Sequence, residues 1–376
     1  MHKILDYIRA RGFDQATLVL DLDEVQRNFV LLRDHMPTAH IHYAVKANPH
    51  PQILQRLVQC GSRFDAASRQ EIADCVTAGA NPQHISFGNT VKHSADIAWA
   101  AAQGIDLFCA DAEQELEKLA QHAPGCRVYL RVRVSSTEAE WPLSRKFGCD
   151  PRQVLNLLDL ARDLGLRPVG LSFHVGSQVR HPHMWTQCLD IMSGLWSDAQ
   201  IWGHELSLLN IGGGFPAAYG RSVTPMPSYC AELMAAVRAR FDGVSYLMAE
   251  PGRAIVASAG MIAAECLLVS RKYHGDDWRW VYLNIGRFSG LAETEGEAIR
   301  YQFTVLGQEH CDTAPCILAG PSCDSADVLY ETHMVDMPVT LSHGDRLVIH
   351  ACGAYTSTYS SVAFNGFAPL AVVVIH

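Results

Sequence analysis

Apolar and polar positions alternate along this chain in short blocks. β-rich runs recur, and most are followed by a stretch with helical spacing of its apolar residues. Residues 4–11 read as helical, and Thr17-Leu18-Val19-Leu20-Asp21-Leu22 is a short β-rich run. Residues 42–46 then give way to a helical pattern through Leu54, Leu57 and Val58. The run 62–66 precedes a helix opening at Ser68, where Ser68 and Glu71 have the S-x-x-E spacing of a capping box. The same succession follows in 84–87 with 95–102, 107–110 with 113–120, 127–134 with 154–164, and 168–174 with 184–195. It ends with 206–211, a helix over 229–241, and the run 246–250.

Strand–helix alternation kept up over about 230 residues is the pattern of a parallel α/β fold. Its regularity favours a (β/α)8 barrel of the TIM type. A doubly wound sheet is the competing architecture, but no G-x-G-x-x-G follows the first strand. Past residue 262 the texture changes. Residues 266–270, 278–285, 299–306, 315–318, 346–349 and 370–375 are β-like runs separated by turns, without a comparable helix series. The expected organisation is a barrel over residues 24–262 and a mainly β domain made of 1–23 and 263–376. No linker, low-complexity tract or short repeat interrupts it.

Composition narrows the class. A chain of 376 residues with 48% hydrophobic content is long enough for a large barrel and a second core. No apolar run approaches the roughly 18 residues of a membrane helix. The N-terminus has early charge and no long apolar region, so no secretory signal is expected and a cytoplasmic enzyme is. The formal net charge is −9 without a basic run, which argues against a nucleic-acid partner. The 12 cysteines form no C-x-x-C pair and read as reduced, mostly buried thiols. Among the 18 histidines, the pairs His40/His42 and His181/His183 lack the neighbouring ligands of a zinc site, and no metal is expected.

Candidate chemistry sits where strands end, since a barrel carries its active site on the C-terminal ends of its strands and the loops after them. In Tyr43-Ala44-Val45-Lys46-Ala47-Asn48-Pro49, an apolar strand end meets Lys46 before Asn48 and Pro49 stop it. Burying an ammonium is costly, and a desolvated lysine has a lowered pKa that suits it to Schiff-base chemistry. A lysine snorkelling to the surface is the plainer reading. Asp65 ends Arg63-Phe64-Asp65, Arg131 lies in Tyr129-Leu130-Arg131-Val132, and His174 stands in Phe173-His174-Val175-Gly176-Ser177. Gly212-Gly213-Gly214-Phe215-Pro216 and Glu250-Pro251-Gly252-Arg253 follow two further strands. A triple glycine there lets backbone N–H groups cradle an anion such as phosphate, to which Ser177 and Arg253 could add a hydroxyl and a guanidinium. Each signal alone has a structural alternative: a tight turn, an ion pair of Glu250 with Arg253, a satisfied core histidine. Together they match pyridoxal 5′-phosphate. A lysine holds its aldehyde and the cradle its phosphate, a carboxylate keeps its pyridine nitrogen protonated, and an imidazole stacks on the ring.

With Gly320-Pro321-Ser322-Cys323-Asp324 and Gly353-Ala354-Tyr355-Thr356, these motifs resemble those of the fold-type III pyridoxal-phosphate decarboxylases, in the family's order and over nearly the whole chain. Trp141-Pro142-Leu143-Ser144-Arg145-Lys146-Phe147-Gly148 and Phe364-Asn365-Gly366-Phe367 point to the ornithine (ornithine/lysine) decarboxylase branch. The resemblance implies the barrel with a β domain, and a head-to-tail homodimer with shared active sites. The implied reaction converts a basic amino acid, L-ornithine or L-lysine, to the diamine and carbon dioxide. By motif, Lys46 would carry the cofactor, Glu250 would meet its pyridine nitrogen, and His174 would stack on it. Ser177, Gly213, Gly214, Arg253 and Tyr355 would hold its phosphate. Asp65 and Arg131 would support the lysine and ring. Cys323, the candidate acid for Cα, and Asp324 would reach into the partner's site; a buried structural thiol is the alternative for Cys323.

One segment departs from the resemblance. Ornithine decarboxylases carry an aspartate in a short helix of the β domain, where it meets the distal amine of the substrate. Here that place falls on Glu297, or on Gly296 if the register slips by one, in Glu295-Gly296-Glu297. A glutamate reaches one methylene further, and the glycine adds room. Glu295, Gly296, Glu297, Asp324 and Tyr355 are the expected substrate contacts. Because an unpaired buried partner is expensive, the change bears on which substrate fits. The alternative function is decarboxylation of a different or larger amino acid in a specialised pathway. An amino-acid racemase and a cofactor-binding regulatory protein are further readings.

Overall fold

The computed structural model describes residues 2–134, 146–241 and 244–376. The chain forms two compact units. One comprises Gln26–Pro216 and Val223–Ile255; the other comprises the residues up to Val25, Ala217–Ser222 and Val256–His376. Strand β1 (Thr17–Asp21) belongs to the latter. The next eight strands close a parallel barrel: β2 (Ala39–Ala44), β3 (Arg63–Ala66), β4 (Ile85–Phe87), β5 (Leu107–Ala110), β6 (Arg127–Arg131), β7 (Arg167–Ser172), β8 (Leu208–Asn210) and β9 (Tyr246–Ala249). Closure comes from β2 pairing with β9, with Ile41 opposite Ala249.

The sequence dictates this closure through short strands buried on both faces. β5 is buried along its whole length, and Leu107, Cys109, Tyr129, Leu208 and Met248 fill the barrel interior. Helices alternate with the strands, and the one that follows β3 opens on a capping box. The Ser68 hydroxyl accepts the Glu71 N–H at 3.2 Å, while the Glu71 carboxylate reaches back to the Ala67 N–H at 2.7 Å. A helix over Leu22–His35, absent from the sequence reading, joins the set.

The second unit is mainly β. Its sheet holds β10 (Gly260–Ser270), β11 (Arg279–Leu283), β12 (Phe303–Val305), β13 (Thr313–Ala319), β14 (Val328–Pro338), β15 (Arg346–Ile349) and β16 (Ala371–Ile375). The order is β12-β15-β10-β11-β13-β14, with β1 pairing antiparallel to β10 and parallel to β16. Ile4, Ile8, Val19, Met261, Ala263 and Val348 form a core there. β14 escapes the sequence reading because its middle, Glu331, Thr332 and His333, is polar and exposed. The two units together give the fold class that the sequence implies: a (β/α)8 barrel with a mainly β domain. Among the described residues, no helix is long and apolar enough to cross a membrane.

Candidate active site

All eight barrel strands run the same way, so the residues at their C-terminal ends share one mouth. Asp65 lies on β3 and Arg131 ends β6. His174 stands two residues past β7, and Glu250 directly follows β9. A cavity at this mouth is lined by Tyr129, Arg131, His174, Asn210 and Glu250, among others.

Lys46 reaches the same region differently from the expectation. β2 stops at Ala44, and one turn of 3-10 helix, Val45–Ala47, follows. That turn buries Val45 and Ala47 and leaves Lys46 exposed, so the desolvated lysine read from the sequence is not found in the single chain. Its charge nevertheless acts on Asp65, His174 and Glu250.

The acids here are held back from ionising. Burial pushes the Asp65 carboxyl up, against the pull of Lys46. Burial, and then the neighbouring Asp65, push Glu250 up to about 7, while Lys46 and a hydrogen bond from Asn210 oppose the rise. That bond, from Asn210 Nδ2 to Glu250 Oε1, is 2.5 Å long. His174 is driven well below the ordinary histidine range, by burial first and then by Arg131 and Lys46. Its Nδ1 accepts the Gly176 N–H at 3.0 Å, which leaves the ring neutral with its hydrogen on Nε2. Arg131 lies over the Phe147 ring, with its guanidinium carbon 5.0 Å from the centroid.

The glycine loop after β8 fits only glycine. A Cβ on Gly213 would stand 2.7 Å from the Glu250 carbonyl oxygen. One on Gly214, at φ +105°, would stand 2.5 Å from that of Gly176. Beside the loop, buried Arg253 donates from Nη2 to Ser177 Oγ at 3.1 Å. Trp185, Phe215 and Tyr229 pack against one another beneath it, and the Trp185 indole N–H donates to Ile211 O at 3.2 Å. Pyridoxal 5′-phosphate fits this set. Lys46 could hold its aldehyde; the glycine loop, Ser177 and Arg253 could hold its phosphate; Glu250 could meet its ring nitrogen and His174 its face.

The remaining sequence-derived residues lie in the mainly β unit. Cys323 and Asp324 are exposed in the loop after β13; of the other cysteines, Cys311 is exposed, Cys60 half-buried and the rest buried. Cys323 donates its N–H to Asn365 Oδ1 at 3.0 Å, and Asp324 accepts the Ala326 N–H at 2.8 Å. Buried Asp327, which sequence reasoning missed, sets this loop by accepting the N–H groups of Arg287 at 2.7 Å and Ser322 at 3.1 Å. Tyr355 is half-buried at φ +54°, near the Tyr359 ring. Glu295 is exposed and pairs with Arg287 at 2.8 Å. Gly296, at φ +58°, turns the chain so that Glu297 faces β14. There the Glu297 carboxylate accepts the N–H groups of Glu331, Thr332 and His333 at 2.8, 2.7 and 2.9 Å, and it meets His333 Nδ1 at 2.5 Å. In the Trp141–Gly148 motif, residues 141–145 lie outside the described residues. Among the described residues, no group of three or more His, Cys, Asp or Glu could hold a metal ion.

Known proteins resemble this chain from end to end. The family profile "pyridoxal-dependent decarboxylase, pyridoxal binding domain" matches residues 22–257. A lysine/ornithine decarboxylase of Selenomonas ruminantium is 33% identical over 363 residues, covering 95% of this chain and 89% of that protein. The arginine decarboxylase of Paramecium bursaria Chlorella virus, solved with agmatine bound, superposes with a TM-score of 0.89 at 28% identity over the full length of both chains. SrLDC in complex with PLP and cadaverine superposes with a TM-score of 0.88 at 29% identity, over 100% of this chain and 94% of that one. The chain therefore belongs to the pyridoxal-dependent decarboxylases of fold-type III, in the ornithine/lysine branch, and its cofactor is pyridoxal 5′-phosphate.

Proposed function

We propose that the protein decarboxylates a basic amino acid, L-ornithine or L-lysine, to the diamine and carbon dioxide. The observation that carries this reading is the convergence of Lys46, Asp65, Arg131, His174 and Glu250 on the mouth of a barrel that also bears the Gly212–Gly214 loop and the Ser177–Arg253 pair. When bound, the cofactor supplies an electron sink for the pair left behind by the departing carboxylate. Lys46 would hold the cofactor's aldehyde until a substrate amine takes its place. Glu250 would meet the ring nitrogen and hold its proton. Neutral His174 presents a flat, uncharged face to the ring. Ser177, Gly213, Gly214 and Arg253 would anchor the phosphate, Tyr355 is the further phosphate contact that the motif resemblance implies, and Asp65 and Arg131 would orient Lys46 and the ring.

The reading includes a cytoplasmic homodimer with shared active sites. Cys323, as the acid for Cα, and Asp324 act there in the site of the partner subunit; their exposure in the single chain is compatible with that task. Sedimentation of the holoenzyme at the mass of one chain would overturn the dimer.

A second reading has its own observation. The carboxylate that the sequence offers in place of the distal-amine aspartate, Glu297, is occupied by β14. Glu295 faces Arg287 instead. A substrate that is larger, or differently charged at its far end, answers to that arrangement. Carbon dioxide release is to be measured with added cofactor across ornithine, lysine, 2,4-diaminobutyrate, arginine, diaminopimelate and acidic conjugates of diamino acids. Turnover of ornithine or lysine orders of magnitude above the rest supports the first reading. Turnover confined to another member supports the second. Recovery of substrate with inverted Cα and no carbon dioxide would mean a racemase.

A further inference from the structure

Glu250 does not stand alone at the end of β9; a closed ring of three hydrogen bonds includes it. The Gly212 N–H donates to Asn210 Oδ1 at 2.8 Å. Asn210 Nδ2 donates to Glu250 Oε1 at 2.5 Å. The Glu250 N–H donates back to the Gly212 carbonyl at 2.9 Å. Asn210 is the last residue of β8 and is 1% exposed. Its amide cannot turn over, because a backbone N–H can only donate. The oxygen must therefore face Gly212, and the NH2 group must face Glu250. The carboxylate is thus met by a hydrogen on the Oε1 side.

We infer that Asn210 is a positioning residue for the reaction: its side-chain amide favours the ionised form of Glu250 and fixes that carboxylate in register with the glycine loop. This rests on the reading of Glu250 as the partner of the cofactor's ring nitrogen. A carboxylate there does its work only when ionised, because only then does it hold a proton on that nitrogen. The groups facing Glu250 are Lys46, Asp65, Cys109, Tyr129, Arg131 and His174. Burial and Asp65 favour the protonated acid; Lys46 and Arg131 favour the anion; Cys109 and Tyr129 are neutral at ordinary pH, and so is His174. The Asn210 amide adds a charge-assisted hydrogen bond that exists in full only with the anion. The same amide ties the carboxylate to Gly212, so the groups read as meeting the ring nitrogen and the phosphate share one support.

The test uses the full-length holoenzyme and its variants. Three readouts are followed: the dissociation constant of pyridoxal 5′-phosphate from the apoenzyme, the pH at which the bound cofactor's absorption changes, and the pH profile of kcat and KM. Asn210→Leu keeps the volume and removes both hydrogen bonds. The acid-side transition of its absorption is expected to move up by about one pH unit or more, with kcat roughly tenfold to hundredfold down and KM within about threefold. Unchanged absorption and kcat would overturn the inference. Should that variant fail to fold, Asn210→Asp decides. It keeps the bond to Gly212 and sets a second carboxylate against Glu250, so one proton is shared and the same transition moves up. A wild-type titration in folded Asn210→Asp would overturn the inference. Glu250→Gln separates the underlying reading. If that variant leaves absorption and kcat as they were, Glu250 is not the partner of the ring nitrogen, whatever Asn210 does.

Discussion

A carboxylate that already accepts three backbone N–H groups and an imidazole nitrogen has little capacity left for a ligand. That is the position of Glu297. Burial pushes its carboxyl up, but the hydrogen bonds from Glu331, His333 and Thr332 bring it down to about 2. Arg300 Nη2 lies 2.7 Å from the other nitrogen of His333, so a guanidinium, an imidazole and a carboxylate stand in a row. An arginine can only donate, which puts the His333 hydrogen on Nδ1, aimed at Glu297. Glu297→Gln would set an NH2 group against backbone donors. We expect it to lower unfolding free energy by about 1–3 kcal/mol in urea, and an unchanged midpoint would mean that the carboxylate does not hold β14. Lys46 makes a different residue-scale prediction. If it binds the aldehyde, borohydride reduction of the holoenzyme should add the mass of one pyridoxyl phosphate per chain. Lys46→Ala should add none and should lose essentially all turnover. Labelling that survives the substitution would place the cofactor on another lysine.

At the scale of elements, the loop after β8 carries the clearest demand on sequence. Gly214 combines φ +105° with a Cβ position 2.5 Å from the Gly176 carbonyl oxygen, so no side chain enters without moving one loop. Gly214→Ala should weaken pyridoxal 5′-phosphate binding at least about tenfold, a loss of about 1.4 kcal/mol or more. Fluorescence titration of the apoenzyme would measure it, and unaltered affinity would remove the loop from the phosphate site. The triple glycine was legible in the sequence because it is local, and so were the barrel strands, whose continuous apolar runs are the mark of burial on both faces. What supports them was not. Asn210 reads as a polar strand end, and its task appears only when β8 and β9 lie side by side. Asp327 reads as one acid among several, until the fold wraps residues 286–287 and 320–322 around it. For Lys46 the plainer of the two readings, a lysine at the surface, is the one found in the single chain; the choice between them turned on the last turn of that segment, which is 3-10 helix rather than strand. β14 was missed because its polar middle lacks strand periodicity, though that stretch of backbone is what receives Glu297.

For the molecule as a whole, the buried ionisable groups pull stability in opposite directions with pH. His42 lies in the barrel wall, fully buried. Arg63 Nη1 donates to the Tyr246 hydroxyl at 2.8 Å, that hydroxyl meets His42 Nε2 at 3.0 Å, and His42 Nδ1 meets the Phe64 carbonyl at 3.3 Å. The order Arg63, Tyr246, His42, Phe64 works with a neutral ring and has no place for a second imidazole hydrogen. Burial, and then Arg63, push the imidazole down to about 3. A histidine in the unfolded chain titrates near about 6.5, so between these values the unfolded state binds more protons. The stabilisation is therefore whole above pH about 6.5 and is lost as pH falls through about 3. Glu297 acts in the same sense at lower pH: its contribution is whole above the ordinary glutamate range and is lost as pH falls through about 2. Glu250 acts in the reverse sense. Its raised carboxyl stabilises the folded apoenzyme below the ordinary glutamate range, and that contribution fades as pH rises through about 7. Comparing wild type with His42→Gln cancels the acids and isolates the histidine. The wild-type apoenzyme should lose about 2 kcal/mol more than the variant between pH 7 and pH 5, since each pH unit below about 6.5 costs about 1.4 kcal/mol. Urea unfolding at the two pH values measures the difference. The variant should start less stable at pH 7, because the bridge from Tyr246 to Phe64 is broken, and should approach wild type as the pH falls. A constant gap at both pH values would mean that His42 takes up its proton inside the folded barrel, and that the hydroxyl of Tyr246 turns to accommodate it.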